Sequence, residues 1–386
     1  MGRLRIGVVG AGIGGLAVAA LLHRSGHDVH IYEQASAFSR VGAGIQMGAN
    51  AMKALRGIGL ERDIRRVGFR PDTLLNCDYD TGHVTNELPG GDALEARYDA
   101  PHMCLHRADL HALLHAIVPN DMIHLGHKLV AFEQSASGVR LNFSDGQCAD
   151  VDAVIGADGV HSVVRTQMFG ADDPRFTGRV AYRTTFPAVL LGAEQLNGSR
   201  TKWWGPDRHI VIYYITAARD EVYFVTSQPE DPSWMTPESW SAKGDVQALC
   251  EAFSAFHPAV RRVLAVCPEV YKWALLTRAP LPRWTLGRSA LLGDSCHPMA
   301  PYMAQGAAMA LEDAVILSRC LEGIDAVGLE AAFGRYQANR KPRASDVQNL
   351  SNENTFLRRP GGTDWVYGYD VWTAPLDAPG PTRSAA

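Results

Sequence analysis

Residues 5–33 read RIGVVGAGIGGLAVAALLHRSGHDVHIYE, and this stretch decides the fold. Arg5 to Val9 is a short apolar run. A glycine-rich turn follows from Gly10 to Gly15, then a helical pattern through Leu22, then Val29 to Tyr32 ending in Glu33. Strand, glycine turn, helix and second strand in that order form a dinucleotide-binding unit. Gly10 permits the tight turn, Gly12 lets the backbone approach a pyrophosphate, and Gly15 lets the helix pack on the strand. The helix start offers unpaired N–H groups and the positive end of a dipole to the phosphates. Glu33 stands about 20 residues after Gly12, where a carboxylate accepts hydrogen bonds from ribose hydroxyls. Arg3 and Arg5 before an uncharged stretch also have the outline of a secretory signal. Glycine at every second or third position makes a poor signal core, and that reading leaves Glu33 unexplained.

The chain has 386 residues, enough for two joined domains. Its net charge of −4 points away from a nucleic-acid partner. Outside the glycine-rich N-terminus no apolar run reaches membrane-spanning length, so no membrane association is expected. The seven cysteines are scattered and odd in number, which suits free thiols in a reducing cytoplasm. The Pro-, Ala- and Ser-rich end, Ala374 to Ala386, reads as a frayed tail.

Residues 71–100 lose helical period and gain turn signals, which predicts short strands. Helix returns over His106 to Ile117. Val139 to Phe143 alternates and is followed by Ser144-Asp145-Gly146, a hairpin signal. Asp152 to Gly156 and residues 289–293 are buried-strand runs. Residues 176–275 are mostly β, with strands expected over Val180 to Thr185, His209 to Tyr214 and Glu221 to Thr226, and a helical insert near Asp245 to Phe256. Helices are expected from Gln305 to Leu321 and Leu329 to Asn352. The fold class is therefore α/β. A Rossmann-like nucleotide domain lies in three pieces (1–70, 101–175 and 276–350), with a β-rich substrate domain (71–100 and 176–275) inserted, and a C-terminal segment 351–386.

Two further motifs carry chemistry. Residues 156–165 read GADGVHSVVR, placing Asp158 and Gly159 after a buried strand and Ser162 at a helix start. Residues 291–306 read LLGDSCHPMAPYMAQG, placing Asp294 at a strand end, Pro301 in the loop and Gly306 at a helix start. Each alone is ordinary capped-loop chemistry. Taken with Arg107, their order and spacing resemble the single-component aromatic monooxygenases of the para-hydroxybenzoate hydroxylase fold, from residue 4 to about 350. That resemblance implies an FAD enzyme that consumes NAD(P)H and O2 and hydroxylates an aromatic ring through a flavin C4a-hydroperoxide. It implies that Gly10, Gly12, Gly15 and Glu33 hold the ADP half of FAD, that Arg107 contacts the pyrophosphate, and that Asp158 and Gly159 serve FAD and a transient NAD(P)H. It implies that Asp294 binds the ribityl chain, with Pro301 and Gly306 near the flavin ring.

Within that family, Lys202-Trp203-Trp204, Asp207-Arg208-His209, Tyr213-Tyr214 and Trp365 to Asp370 are similar to members that hydroxylate, with decarboxylation, hydroxypyridine carboxylates such as 6-hydroxynicotinate. The likeness places His209 and Tyr213 in the pocket as catalytic groups that accept or relay a ring-hydroxyl proton. Alternation puts His209, Val211 and Tyr213 on one face of a strand. Gln46, Lys202, Thr226 and Tyr302 are the further pocket candidates, Lys202 for a substrate carboxylate. The likeness leads one to expect histidine at Gln46 and Tyr302 and cysteine at Thr201, so the acid itself stays open, and salicylate-type hydroxybenzoates remain alternatives. His111 and His115 have a metal-compatible spacing but no third ligand, so no metal is expected. His297 reads as structural. A flavin oxidoreductase without oxygen insertion, a membrane epoxidase and a non-catalytic flavin sensor are the other classes, and no WxWxIP halogenase signature occurs. The sequence leaves open NADH against NADPH and whether the protein is a homodimer.

Overall fold

The structure, a computed structural model, describes residues 2–40, 43–234, 242–358 and 361–376. The expected tail therefore lies outside the described residues from 377 onward.

A six-stranded sheet runs in the order Thr285–Leu286, Ser289–Leu291, Ala153–Gly156, Arg5–Val9, Asp28–Glu33, Ile123–Leu125. All neighbours are parallel except the first pair. Arg5–Val9 is central and both its faces are covered: Ile6 and Val8 are buried on one, Gly7 and Val9 on the other, as in parallel sheets flanked by helices. The strand order reverses on either side of it, which makes a crevice at its carboxyl end. Registry brings the motifs to that edge. Val9 lies opposite Tyr32 and Gly156, and Gly156 opposite Leu291. The residues that follow these strand ends are Gly10 to Gly15, Glu33, Ala157 to Gly159, and Gly293 to Ser295. The helix Ile13–Arg24 and the helix Gly306–Leu321 pack together over this sheet.

A seven-stranded sheet runs Tyr271–Thr277, Arg175–Pro187, Glu221–Pro229, His209–Tyr214, Arg200–Trp204, Thr73–Asp78, Val84–Pro89. One face buries Trp203 and Ile210 in an apolar cluster with Leu249, Phe253 and Val260 of the helices Val246–Ala252 and Pro258–Ala265. Trp203 stacks on His257 with centroids 4.9 Å apart. The opposite face carries polar and aromatic side chains.

The hairpin Val139–Phe143 to Cys148–Val151 forms at the predicted turn. Two helices depart from expectation. Gly91–Tyr98 is helical where short strands alone were expected, burying Leu94 and Tyr98 one turn apart. The insert contains a second helix, Pro258–Ala265, started by proline at its first turn and capped by His257.

Candidate active site

At the sheet edge the three motif glycines are closed and open in different places. Gly10 has φ +100°, and a Cβ there would lie 2.5 Å from the Ala157 carbonyl oxygen. A Cβ on Gly15 would lie 2.0 Å from the Gly10 carbonyl oxygen, so the helix packs only with hydrogen at that position. A Cβ on Gly12 would meet nothing within 4 Å. The backbone at Gly12 thus faces open space, a cradle that a side chain would fill. Glu33 stands beside it, accepting the Ala11 N–H and the Ala35 N–H at 2.8 Å each. His111 fixes the same loop through Nε2 and the Ala11 carbonyl at 2.8 Å, which accounts for that histidine without a metal.

Both helices that start at this edge leave their first turns free of acid and of side-chain caps. Their dipoles therefore favour a negative group there. Arg107 begins the helix Arg107–Ala116 and its N–H donates to Ala43. Burial pushes its pKa down, and Asp294 opposes that. A Cβ on Gly306 would lie 3.9 Å from Asp294 Oδ1, so Asp294 sits over the start of the Gly306 helix. Pro301 is exposed in a short turn just before that helix. Asp158 is committed to its own turn: it accepts the Ser162 hydroxyl at 2.5 Å and the Val164 N–H at 3.1 Å, and burial pushes its pKa up. The open cradle, the capped carboxylate, the half-buried guanidinium and two helix starts fit a dinucleotide, so these residues can hold FAD.

The polar face of the seven-stranded sheet forms the second half of the site. His209 lies opposite Trp204 and Ser227, and Lys202 opposite Val211. Period-two alternation then places Arg200, Lys202, Trp204, His209, Tyr213 and Ser227 on one face. Thr226 is not brought together with them. It pairs with Ile210, and its hydroxyl accepts the Tyr182 N–H at 3.0 Å on the other face. Thr201, opposite Ile212, shares that other face. Tyr302 comes in from the flavin loop: its ring lies 5.4 Å from that of His209 and its hydroxyl bonds Ser227 at 2.9 Å. Gln46, on the strand Gly44–Met47, accepts Arg200 Nε at 3.3 Å and bonds Tyr213.

The electrostatics of this face are one-sided. Arg200 is 6% exposed and Lys202 is 2% exposed. Among the described residues no carboxylate acts on either: burial pushes both pKa values down, Lys202 well below its ordinary value, with Arg200 and Arg358 adding to the shift on Lys202. Arg200 Nη1 has no hydrogen-bond partner, and neither ring nitrogen of buried His102 has one. Burial pushes the His209 pKa well below the ordinary value, and Lys202, Arg179 and Arg200 add to that. Burial pushes Tyr213 well up, with Tyr223 and Cys104 adding and Gln46 and Arg200 opposing. The imidazole is therefore neutral and the phenol protonated. Arg200 escaped the sequence reading. The available signal was alternation, since Arg200 leads Lys202 and Trp204 along one strand face.

Beneath the Gly306 helix lies a buried ionic network. Arg340 donates to Glu312 and Asp313 at 2.8 Å, and Arg343 to Glu312 at 2.8 Å. His297 joins it through Nε2 to Asp313 at 2.6 Å. Cys296, His297 and Asp313 are the one trio of potential metal ligands sharing a site among the described residues. The Asp313 oxygens are taken up by His297, Arg340 and the Gly293 N–H, which makes this a structural joint under the flavin loop.

A family model described as an FAD binding domain matches residues 3–351. The chain is 45% identical to 6-hydroxynicotinate 3-monooxygenase of Bordetella bronchiseptica and 44% identical to that of Pseudomonas fluorescens, covering 97% of each chain in both comparisons. The fold matches a solved salicylate hydroxylase substrate complex with a TM-score of 0.82 at 26% identity, covering 96% of each chain.

Proposed function

Because this chain belongs to the FAD-binding domain family and is an FAD-dependent monooxygenase, we propose that it hydroxylates an aromatic carboxylate at its carboxyl-bearing carbon, with 6-hydroxynicotinate as substrate. The observation that carries this reading is the pair Arg200 and Lys202, two buried basic side chains on one pocket face with no carboxylate acting on either among the described residues. Buried charge without a partner is costly, and a substrate carboxylate supplies the partner.

Gly10, Gly12, Gly15, Glu33 and Arg107 would hold FAD at the crevice edge, which Asp294, the Gly306 helix start and the Asp158-Gly159 turn also line. Bound FAD, reduced by NAD(P)H, supplies an electrophilic oxygen drawn from O2. The protein's own work is on the ring. Arg200 and Lys202 fix the carboxylate. That leaves the ring hydroxyl, para to it in 6-hydroxynicotinate, toward His209. Neutral His209 takes the hydroxyl proton, and the resulting oxyanion raises electron density at the carbon opposite. A C–O bond forms there, the C–C bond to the carboxylate breaks, its electron pair restores aromaticity, and CO2 leaves.

Two features tune the base. In the free protein, burial and the cations hold the His209 pKa down. A bound carboxylate offsets the cations, so His209 becomes a better base only when substrate is present. Tyr213 lies four residues along the strand from His209, about 13 Å at the usual rise. The two therefore act at opposite ends of the ring, and Tyr213, joined to Gln46 beside Arg200, orients the carboxylate end rather than sharing the proton.

The test is NADH oxidation by the FAD-loaded enzyme with 6-hydroxynicotinate, salicylate, 4-hydroxybenzoate and 2-hydroxypyridine. The reading expects coupled product from 6-hydroxynicotinate and none from 2-hydroxypyridine, which lacks the carboxylate. Equal stimulation by both sinks it. Coupling with salicylate alone would move the assignment to the hydroxybenzoate hydroxylases, a shift that Gln46 and Tyr302 leave room for.

A further inference from the structure

Among the described residues, no negatively charged group acts on Lys202 Nζ. It lies 3.7 Å from the Trp204 ring centroid and 5.9 Å from that of Tyr302, and it donates to Asn354 Oδ1 at 3.3 Å. Asn354 is the first residue past the helix Leu329–Glu353, with φ 54°. Its backbone N–H returns to the Ser351 carbonyl at 3.2 Å. Glycine satisfies such a left-handed cap at least as well. The cap therefore explains the backbone but not a side chain directed at a buried ammonium.

The same helix end grips the flavin loop. Gln348 Nε2 donates to the Pro298 carbonyl at 2.9 Å, Ser351 Oγ to the Ala300 carbonyl at 2.5 Å, and the Ala300 N–H to Asn352 Oδ1 at 3.1 Å. Asn354 thus holds Lys202 from a helix end that is fixed relative to both halves of the site. Past it, Arg358 lies over the Trp204 ring at 5.3 Å, adding a second cation rather than a counter-ion.

We propose that Asn354 is a specificity-determining residue: a neutral acceptor that orients the Lys202 ammonium while leaving its charge available for a substrate carboxylate. The inference rests on the reading of the substrate as an aromatic carboxylate. An amide oxygen and a carboxylate oxygen accept the same hydrogen bond at this spot. Only the carboxylate would cancel the charge and repel the ligand, so the choice of Asn over Asp decides which ligands the pocket takes.

The experiment compares the wild type with Asn354→Asp and Asn354→Gly as FAD-loaded proteins. Asn354→Gly keeps the left-handed cap and removes only the side chain. Perturbation of the flavin absorbance gives dissociation constants for 6-hydroxynicotinate and for 2-hydroxypyridine. The inference expects Asn354→Asp to weaken 6-hydroxynicotinate about 30-fold or more while changing 2-hydroxypyridine by less than about threefold. Asn354→Gly should weaken only the acid, by about three- to tenfold, the scale of one hydrogen bond. Discrimination by Asn354→Asp as strong as in the wild type overturns the inference and leaves the carboxylate reading standing. Equal weakening of both ligands also overturns it, as a packing lesion. A wild type that binds the two ligands equally overturns the carboxylate reading itself, and the inference with it.

Discussion

The Arg200 guanidinium donates from Nε to Gln46 Oε1 at 3.3 Å, while its Nη1 stays buried without a partner. One edge of the fork is therefore spent on orientation and another is left for a ligand. Gln46 stands on a strand that pairs with the segment leading into Arg107, so this contact ties the substrate pocket to the cofactor side of the crevice.

Removing the Arg200 fork while keeping its bulk should separate binding from chemistry. Arg200→Gln is expected to raise KM for 6-hydroxynicotinate by about 10²-fold or more, the usual cost of a lost buried charge contact. FAD content should be unchanged. Steady-state kinetics with a flavin absorbance spectrum check this, and an unaltered KM contradicts the assignment.

Replacing the base should do the reverse. His209→Gln is expected to lower kcat by about 10²- to 10⁴-fold with little effect on KM. The active form is the neutral imidazole, and its pKa in the free protein lies below the ordinary 6.5. The kcat/KM profile should therefore hold its plateau below pH 6.5, and the acid limb of kcat should lie at higher pH because bound carboxylate raises the His209 pKa. Coincident limbs, or a limb that survives in His209→Gln, would show that another group is the base.

The glycines of the first turn should divide into ligand and fold roles. Gly12→Val points its side chain into open space, so thermal stability of the FAD-free protein should stay within a few degrees while FAD affinity falls by tenfold or more. Gly15→Ala forces a methyl to within 2.0 Å of the Gly10 carbonyl oxygen and should destabilise the FAD-free protein itself. Melting curves with and without added FAD distinguish them. The opposite pattern would mean the cradle is misplaced.

Buried His102 gives a pH-dependent stability with a defined sign. Burial first, and then Arg200, hold its pKa at about 3 in the folded chain, against 6.5 when unfolded. The unfolded state binds the extra proton between those values, so stability is lost as pH falls below 6.5, by about 1.4 kcal/mol per pH unit from this group. Urea unfolding at pH 6 and pH 5 should show a slope smaller by about that amount in His102→Asn. Equal slopes would mean that His102 is solvated.

The buried network is a joint whose single members should matter more than the whole. Glu312→Gln leaves Arg343 and Arg340 partly uncompensated and should cost about 3–5 kcal/mol. A loss below about 1 kcal/mol in urea unfolding would show that water reaches these groups.

What the sequence made legible was the placement set by local pattern. Gly10 to Gly15, Glu33, Asp158 and Asp294 were readable because each lies at or just past a strand end, and parallel registry delivers all of them to one edge. The shared face of His209 and Tyr213 followed from alternation alone. Thr226 shows the limit of that signal. One step of register from Ser227 turned it to the helix-covered face, and only the pairing with Ile210 reveals which face is which. Arg200 was missed because a charged residue on a strand reads as solvent-facing until the strand Gly44–Met47 is seen to cover it. The helix Gly91–Tyr98 was missed because its glycine start resembles a turn.

The most direct test of the central claim is one reaction run with ¹⁸O₂, NADH, FAD-loaded enzyme and 6-hydroxynicotinate carrying a ¹³C carboxyl group. The account predicts one ¹⁸O atom in the ring product and one ¹³CO₂ released for each NADH consumed. NADH consumption that yields only hydrogen peroxide, or ring oxygenation with the labelled carboxyl retained, would contradict it.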